Sequence, residues 1–187
     1  MRKIIASLDI GSHTIKLVVG EIVKHKVNIL ACVDTPARGI KKGFIVNPES
    51  AIEALHDCFL KAEEQIGLKI REVIVSVPSN GLDCFLTEGY TSINNEESKI
   101  TGQDIVASLN SAIYNKILDN QEVVALLPTK FLVDDSIVTE NPISMRALNL
   151  KVKAVTGVIP KKNVVAIEKC LEKIGVSITN ITISSLG

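Results

Sequence analysis

The chain has 187 residues, 46% of them apolar, enough to bury a core without disulfide or metal staples and too apolar for intrinsic disorder. Aromatics are 3% with no tryptophan, and 21 basic residues balance 21 acidic ones, so neither base stacking nor a basic field points to a nucleic-acid partner. Cys32, Cys58, Cys84 and Cys170 are too scattered for a zinc site or a secreted disulfide framework and read as free buried thiols of the cytoplasm; His13, His25 and His56 also lack metal-ligand spacing.

The opening "MRKIIASL" imitates a signal peptide, but Asp9 cuts the apolar stretch from Ile4 to Leu8 too short for one. Three strands are expected first, about Lys3–Ile10, Thr14–Val23 and Val27–Thr35, with links as short as those of antiparallel hairpins. The pair Lys41-Lys42, in Arg38-Gly39-Ile40-Lys41-Lys42-Gly43, reads as a solvated loop rather than an anion site. A helix follows, capped by Asn47 with Pro48 in its first turn and Ile52, Leu55, Phe59, Ala62 and Ile66 on one face. It ends in Glu64-Gln65-Ile66-Gly67, and the run to Ser76 reads as a strand. The stretch Glu172–Ser184 repeats that order of helix end, glycine, turn and apolar strand, after a helix that follows Pro160 with Val164, Ile167, Leu171 and Ile174 as its stripe. Both strands look nearly continuous in apolar residues, as buried parallel strands do. Two helix-to-strand passages onto one sheet follow.

Between the two copies the composition shifts. Leu82–Arg146 holds ten acidic and four basic residues, a net of −6, while the flanks carry +6. This stretch has elements of its own: a strand, a Thr101–Leu118 helix opening on a Thr101/Asp104 capping box, then strands at Val123–Leu127, Phe131–Val133 and Leu148–Ile159. The chain therefore reads as an α/β fold of order β-β-β-α-β … α-β, the ribonuclease-H or actin-like half-domain. It would be built from 1–81 plus 160–187, with a small α+β module inserted at 82–159.

In that topology the first hairpin turn, within Leu8-Asp9-Ile10-Gly11-Ser12-His13-Thr14-Ile15-Lys16, lies at the mouth of the sheet. Gly11 lets a ligand approach the backbone, and the amides of the Gly11–His13 turn with the Ser12 and Thr14 hydroxyls can donate to phosphate oxygens. Asp9 can hold a water of hydrated Mg²⁺, and Lys16 can reach the same phosphates. The competing reading is an ordinary hairpin turn, since D-x-G-S/T is a short motif; its place at the first turn favours phosphate. A nucleophilic triad of Asp9, Ser12 and His13 is disfavoured, because sequence neighbours rarely reach triad geometry.

"LDIGSHTIKLVVGEI", "ARGIKKGFIVNPE", "REVIVSVPS" and "ALNLKVKAVTGVIPKKNVVAIEKCLEKIG" together resemble the bacterial actin-like cell-division family FtsA, over essentially the whole chain. The resemblance implies that 1–81 and 160–187 form subdomain 1A and 82–159 the FtsA-specific subdomain 1C. It implies ATP and magnesium as ligands, with Asp9, Gly11, Ser12 and Lys16 matching the first phosphate loop and His13 at a variable position within it. It further implies self-association and binding of late division proteins through 82–159. FtsZ binding and membrane attachment, the latter by a C-terminal amphipathic helix, would belong to regions beyond this sequence, at the cytoplasmic face of the membrane at the division site. Around Asn141-Pro142-Ile143-Ser144-Met145 the chain lacks a glycine that many relatives carry. The chain reads as an N-terminal piece of a longer protein. Its second lobe would hold the adenosine, so this piece alone is expected to bind ATP poorly and not to be an enzyme. A sugar or acetate kinase would need a further catalytic carboxylate in the cleft, and a ribonuclease-H-type nuclease several converging ones. A pilus-assembly ATPase is separated from FtsA only by the module at 82–159.

Overall fold

A computed structural model describes residues 3–24 and 26–184; His25 lies outside the described residues. The chain divides into two compact units, Met1–Gly81 with Pro160–Gly187, and Leu82–Ile159.

The first unit is built on a five-stranded sheet. Its strands are β1 (Lys3–Ile10), β2 (Thr14–Val23), β3 (Lys26–Pro36), β6 (Glu72–Val77) and β11 (Ser177–Ile183), in the order β11-β6-β1-β2-β3. β1, β2 and β3 pair antiparallel, as their short links require, whereas β6 runs parallel to both β1 and β11. The two halves of the sequence repeat therefore lie side by side. Each is preceded by a glycine in the left-handed region, Gly67 at φ 70° and Gly175 at φ 76°, where a Cβ would be strained. β11 departs from the expected buried strand. It is an edge strand and only Ile183 is fully buried, because one of its sides has no partner.

α1 (Pro48–Ile66) starts where its cap says, with Asn47 Oδ1 accepting from Ser50 N at 3.2 Å. α1 lies against β2 and β3, and α3 (Lys161–Lys173) against α1 and β11. Leu55, Phe59 and Ala62 are buried as expected. Ile52 and Ile66 are only half-buried, and the small residues Ala51, Ala54 and Cys58 complete the contact. Leu8, Ile10, Ile15, Leu17 and Val75 are fully buried. Their alternate neighbours Ser7, Asp9, Lys16 and Ser76 emerge on the opposite face. Of the four thiols, Cys58 and Cys170 are buried, but Cys32 and Cys84 are exposed, since each falls on the outward phase of its strand. A two-stranded ribbon, β4 (Ile40–Lys41) with β5 (Phe44–Ile45), occupies the loop expected to be merely solvated.

The second unit has a four-stranded sheet in the order β7-β10-β8-β9. β7 is Asp83–Ser92, β8 Gln121–Val133, β9 Ile137–Thr139 and β10 Asn149–Pro160. β8 is one strand rather than the two expected on either side of Pro128. β9 pairs only with Phe131–Val133 and stops short of Pro128. α2 (Gly102–Ile113) opens on the expected capping box, with Thr101 N donating to Asp104 Oδ2 at 2.8 Å and Asp104 N to Thr101 Oγ1 at 3.4 Å. It ends five residues earlier than expected, because Asn115 takes a left-handed φ of 55° and turns the chain away. α2 rests on β7 at Gly89. A Cβ there would collide with Ser108 O and stand 2.5 Å from Ala112 N, so only glycine admits the helix backbone. Ile93, Ile100, Phe131, Val133, Leu150 and Val152 form the core beneath it.

Candidate functional site

In the first unit the residues singled out in the sequence converge. Asp9 and Lys16 are direct partners across the β1–β2 pair. In an antiparallel pair this brings their Cβ atoms to about 4.5–5.5 Å, on one face. The same row continues in both directions: Ser76 and Thr182 beyond Asp9, and Asp34 beyond Lys16. Polar side chains from five strands thus form one line across the face opposite the helices. Lys16 is exposed and stands between two carboxylate-bearing positions, which offset its charge.

The turn from β1 to β2 is tight. Gly11 N donates to Thr14 O at 3.1 Å, and a Cβ on Gly11 would lie 2.6 Å from that oxygen. The expected glycine is thus required by backbone closeness. Ser12 Oγ accepts from Gly43 N at 3.0 Å, which leaves its hydroxyl hydrogen free to donate outward. His13 is exposed, and its carbonyl accepts from Ala37 N at 2.9 Å, tying the turn to the end of β3.

Ser184 is part of the arrangement and was not foreseen. Its Oγ lies 2.9 Å from Asp9 Oδ1, 3.2 Å from Val77 O and 3.3 Å from Ser76 Oγ. A hydroxyl has one hydrogen, and a carboxylate is the stronger acceptor, so Ser184 Oγ–H donates to Asp9 Oδ1. This contact spans 175 residues, and its only sequence sign is a hydroxyl residue directly after the second repeat strand.

The donor set suits a hydrated hard cation beside a polyphosphate. Asp9 supplies oxygen, half-buried, with Oδ1 engaged by Ser184. Mg²⁺ keeps most of its waters and takes one or two carboxylates plus phosphate oxygens. An all-protein cage is a different thing: among the described residues no three His, Cys, Asp or Glu side chains are grouped to hold a metal. The Gly11–His13 turn can present the Ser12 and His13 amides to an anion, and a Cβ at Gly11 would collide with Thr14 O of the same turn.

Residues 80–156 match the model of the SHS2 domain inserted in FtsA. The chain is 28% identical over 179 residues to cell division protein FtsA of Enterococcus faecalis, covering 96% of this chain and 41% of that protein. Against FtsA of Staphylococcus epidermidis it is 30% identical over 180 residues, covering 94% and 38%. The chain thus spans about two fifths of the length of the curated relatives it matches. Among solved structures, a PilM–PilN type IV pilus biogenesis complex superposes with a TM-score of 0.61 at 12% identity, over 97% of this chain and 47% of that one. At that identity the likeness concerns the actin-like fold alone.

Proposed function

We propose that this chain is the N-terminal portion of an actin-like cell-division protein of the FtsA type, and that its first unit supplies one side of a Mg-ATP site. Similarity to FtsA along nearly the whole chain carries the reading, taken with the polar row that sets Asp9 against Lys16. Asp9 would hold a water of the hydrated Mg²⁺. The amides of Ser12 and His13, the Ser12 hydroxyl and Lys16 would meet the phosphates, the Gly11 amide being engaged by Thr14 O. When bound, the ion would offset phosphate charge. The chain's own work is to bind and orient.

The first unit then corresponds to subdomain 1A, over 1–81 and 160–187, and the second to subdomain 1C, over 82–159. The second unit is the surface for self-association and for late division proteins. FtsZ binding and membrane attachment belong to the remainder of the longer protein, at the cytoplasmic face of the membrane. Among the described residues no helix is long and apolar enough to cross a bilayer.

Calorimetry tests the site. Phosphate contacts from one side must overcome roughly 4–15 kcal/mol of lost ligand freedom, so residues 1–187 alone should bind Mg-ATP poorly while the full-length protein binds it. Micromolar affinity in residues 1–187 would mean that the site is complete without a second lobe. No binding by the full-length protein would remove the nucleotide reading altogether.

A further inference from the structure

The β4–β5 ribbon is fastened to the phosphate turn. Gly43 N donates to Ser12 Oγ at 3.0 Å across 31 residues of sequence. The ribbon's own turn is Lys42-Gly43, with φ of 50° and 78° as a two-residue hairpin turn of the primed type demands. Gly43 is buried against Pro78, whose Cβ would lie 2.6 Å from a Cβ at that position. Asn80 Nδ2 donates to Lys42 O. At its base, Gly39 O accepts from Val46 N at 2.8 Å and from Asn47 N at 3.1 Å. The turn is therefore held at both ends.

This places a basic group beside the site. Standard bond lengths put the Cα of Lys42 about 2.4 Å from the following amide nitrogen, so it lies within about 5.4 Å of Ser12 Oγ. A flexible four-carbon stem spans that gap, and Lys42 is exposed. The charge balance also calls for a second cation. Lys16 already faces Asp9 and Asp34 on its two neighbouring strands, whereas a polyphosphate brings several negative charges.

We propose that the Lys42-Gly43 turn is a second wall of the phosphate site and that Lys42 gives its ammonium to a phosphate oxygen of the bound polyphosphate. The inference rests on the phosphate reading of the Gly11–His13 turn. Amide NMR of residues 1–187 during titration with magnesium tripolyphosphate tests the two separately. The amides of Gly11, Ser12, His13 and Gly43 should shift together. Lys42→Gln should move the midpoint to about three- to tenfold higher concentration, the range for one exposed charge-assisted contact. Lys42→Arg should stay near wild type, and so should Lys41→Gln, which removes the same charge one residue upstream. If Lys42→Gln matches wild type, or Lys41→Gln weakens binding as much, while the Gly11–His13 shifts persist, the ribbon has no specific role and the turn keeps its own. If the wild-type turn does not shift at all, in residues 1–187 or in the full-length protein at millimolar magnesium tripolyphosphate, both readings fall.

Discussion

Both units lay helix on one face of a sheet and leave the other face bare, but they use glycine and the bare face differently. In the first unit the close approaches are at turns, Gly11 against Thr14 O and Gly43 against Pro78, and they shape backbone around a small polar site. In the second the close approach is mid-strand, Gly89 beneath Ser108 and Ala112, and it serves helix packing. The bare face of the first unit carries the row Thr182, Ser76, Asp9, Lys16 and Asp34. On the second, Glu88 bonds to Lys151 at 3.1 Å and Lys153 at 2.8 Å, with Leu86 78% and Tyr90 49% exposed along the same strand phase. Converging polar ends suit a small charged ligand; a broad face of mixed character suits another protein.

Breaking the second unit without the first is the strongest test of that contrast. Gly89→Val should force α2 off β7 and cost more than about 3 kcal/mol, since no rotamer relieves a clash with helix backbone. Hydrogen exchange should show lost protection in α2 and β10 with β1, β2 and α1 unchanged. Loss in both units together would mean that they do not fold separately. Excision sharpens the point: Gly81 and Pro160 touch, a Cβ on Gly81 lying 3.1 Å from Pro160 Cδ, so a short linker should replace Leu82–Ile159 and leave one cooperative transition.

Asp9→Ala and Lys16→Ala, in the full-length protein, should each weaken Mg-ATP binding by up to about 1.5–3 kcal/mol, with Lys16 toward the lower end because it is exposed. Calorimetry reads the affinity, and thermal melting should show the fold intact. Equal affinity in both variants and wild type would leave the row without a ligand role.

A smaller effect is expected at Ser144 in the second unit. It has φ of 67°, and its N–H donates to Ile100 O at 2.9 Å. Ser144→Gly should therefore stabilise the protein by about 0.5–1 kcal/mol, measured by urea denaturation. A destabilised variant would show that the serine side chain itself matters there.

The smallest expected effect concerns pH and falls on the first unit. Burial pushes the thiols of Cys58 and Cys170 up; at Cys58 it outweighs the Thr35 hydroxyl and the Lys61 charge, which favour the thiolate. A thiol whose pKa is raised on folding contributes full stability below its unfolded value, about 8.5, and loses it as pH climbs toward the folded value. Unfolding free energy of the first unit should therefore decline above that pH, and less so in Cys58→Ala measured against its own neutral-pH value. An unchanged slope would mean that other groups govern the alkaline limb.

Local chemistry was legible in the sequence. The caps at Asn47 and Thr101, the stops at Gly67 and Gly175, the three hairpin-linked strands and the Asp9-to-Lys16 motif are each written within a few residues, because hydrogen bonds and φ preferences act at that range. The strength of the repeat also made the parallel pair β6 and β11 readable. Where the sequence misled, a long-range partner decided. Pro128 lies within one continuous strand, β8, and β11 is exposed because it is the last strand of its sheet. Asn115 ends α2 early through a left-handed turn that periodicity does not register. The joining of Ser12 to Gly43 and of Asp9 to Ser184 was equally out of reach. Burial periodicity tells which face of an element is covered, but which distant backbone lies beside a given turn is decided only when the whole sheet and its helices pack at once.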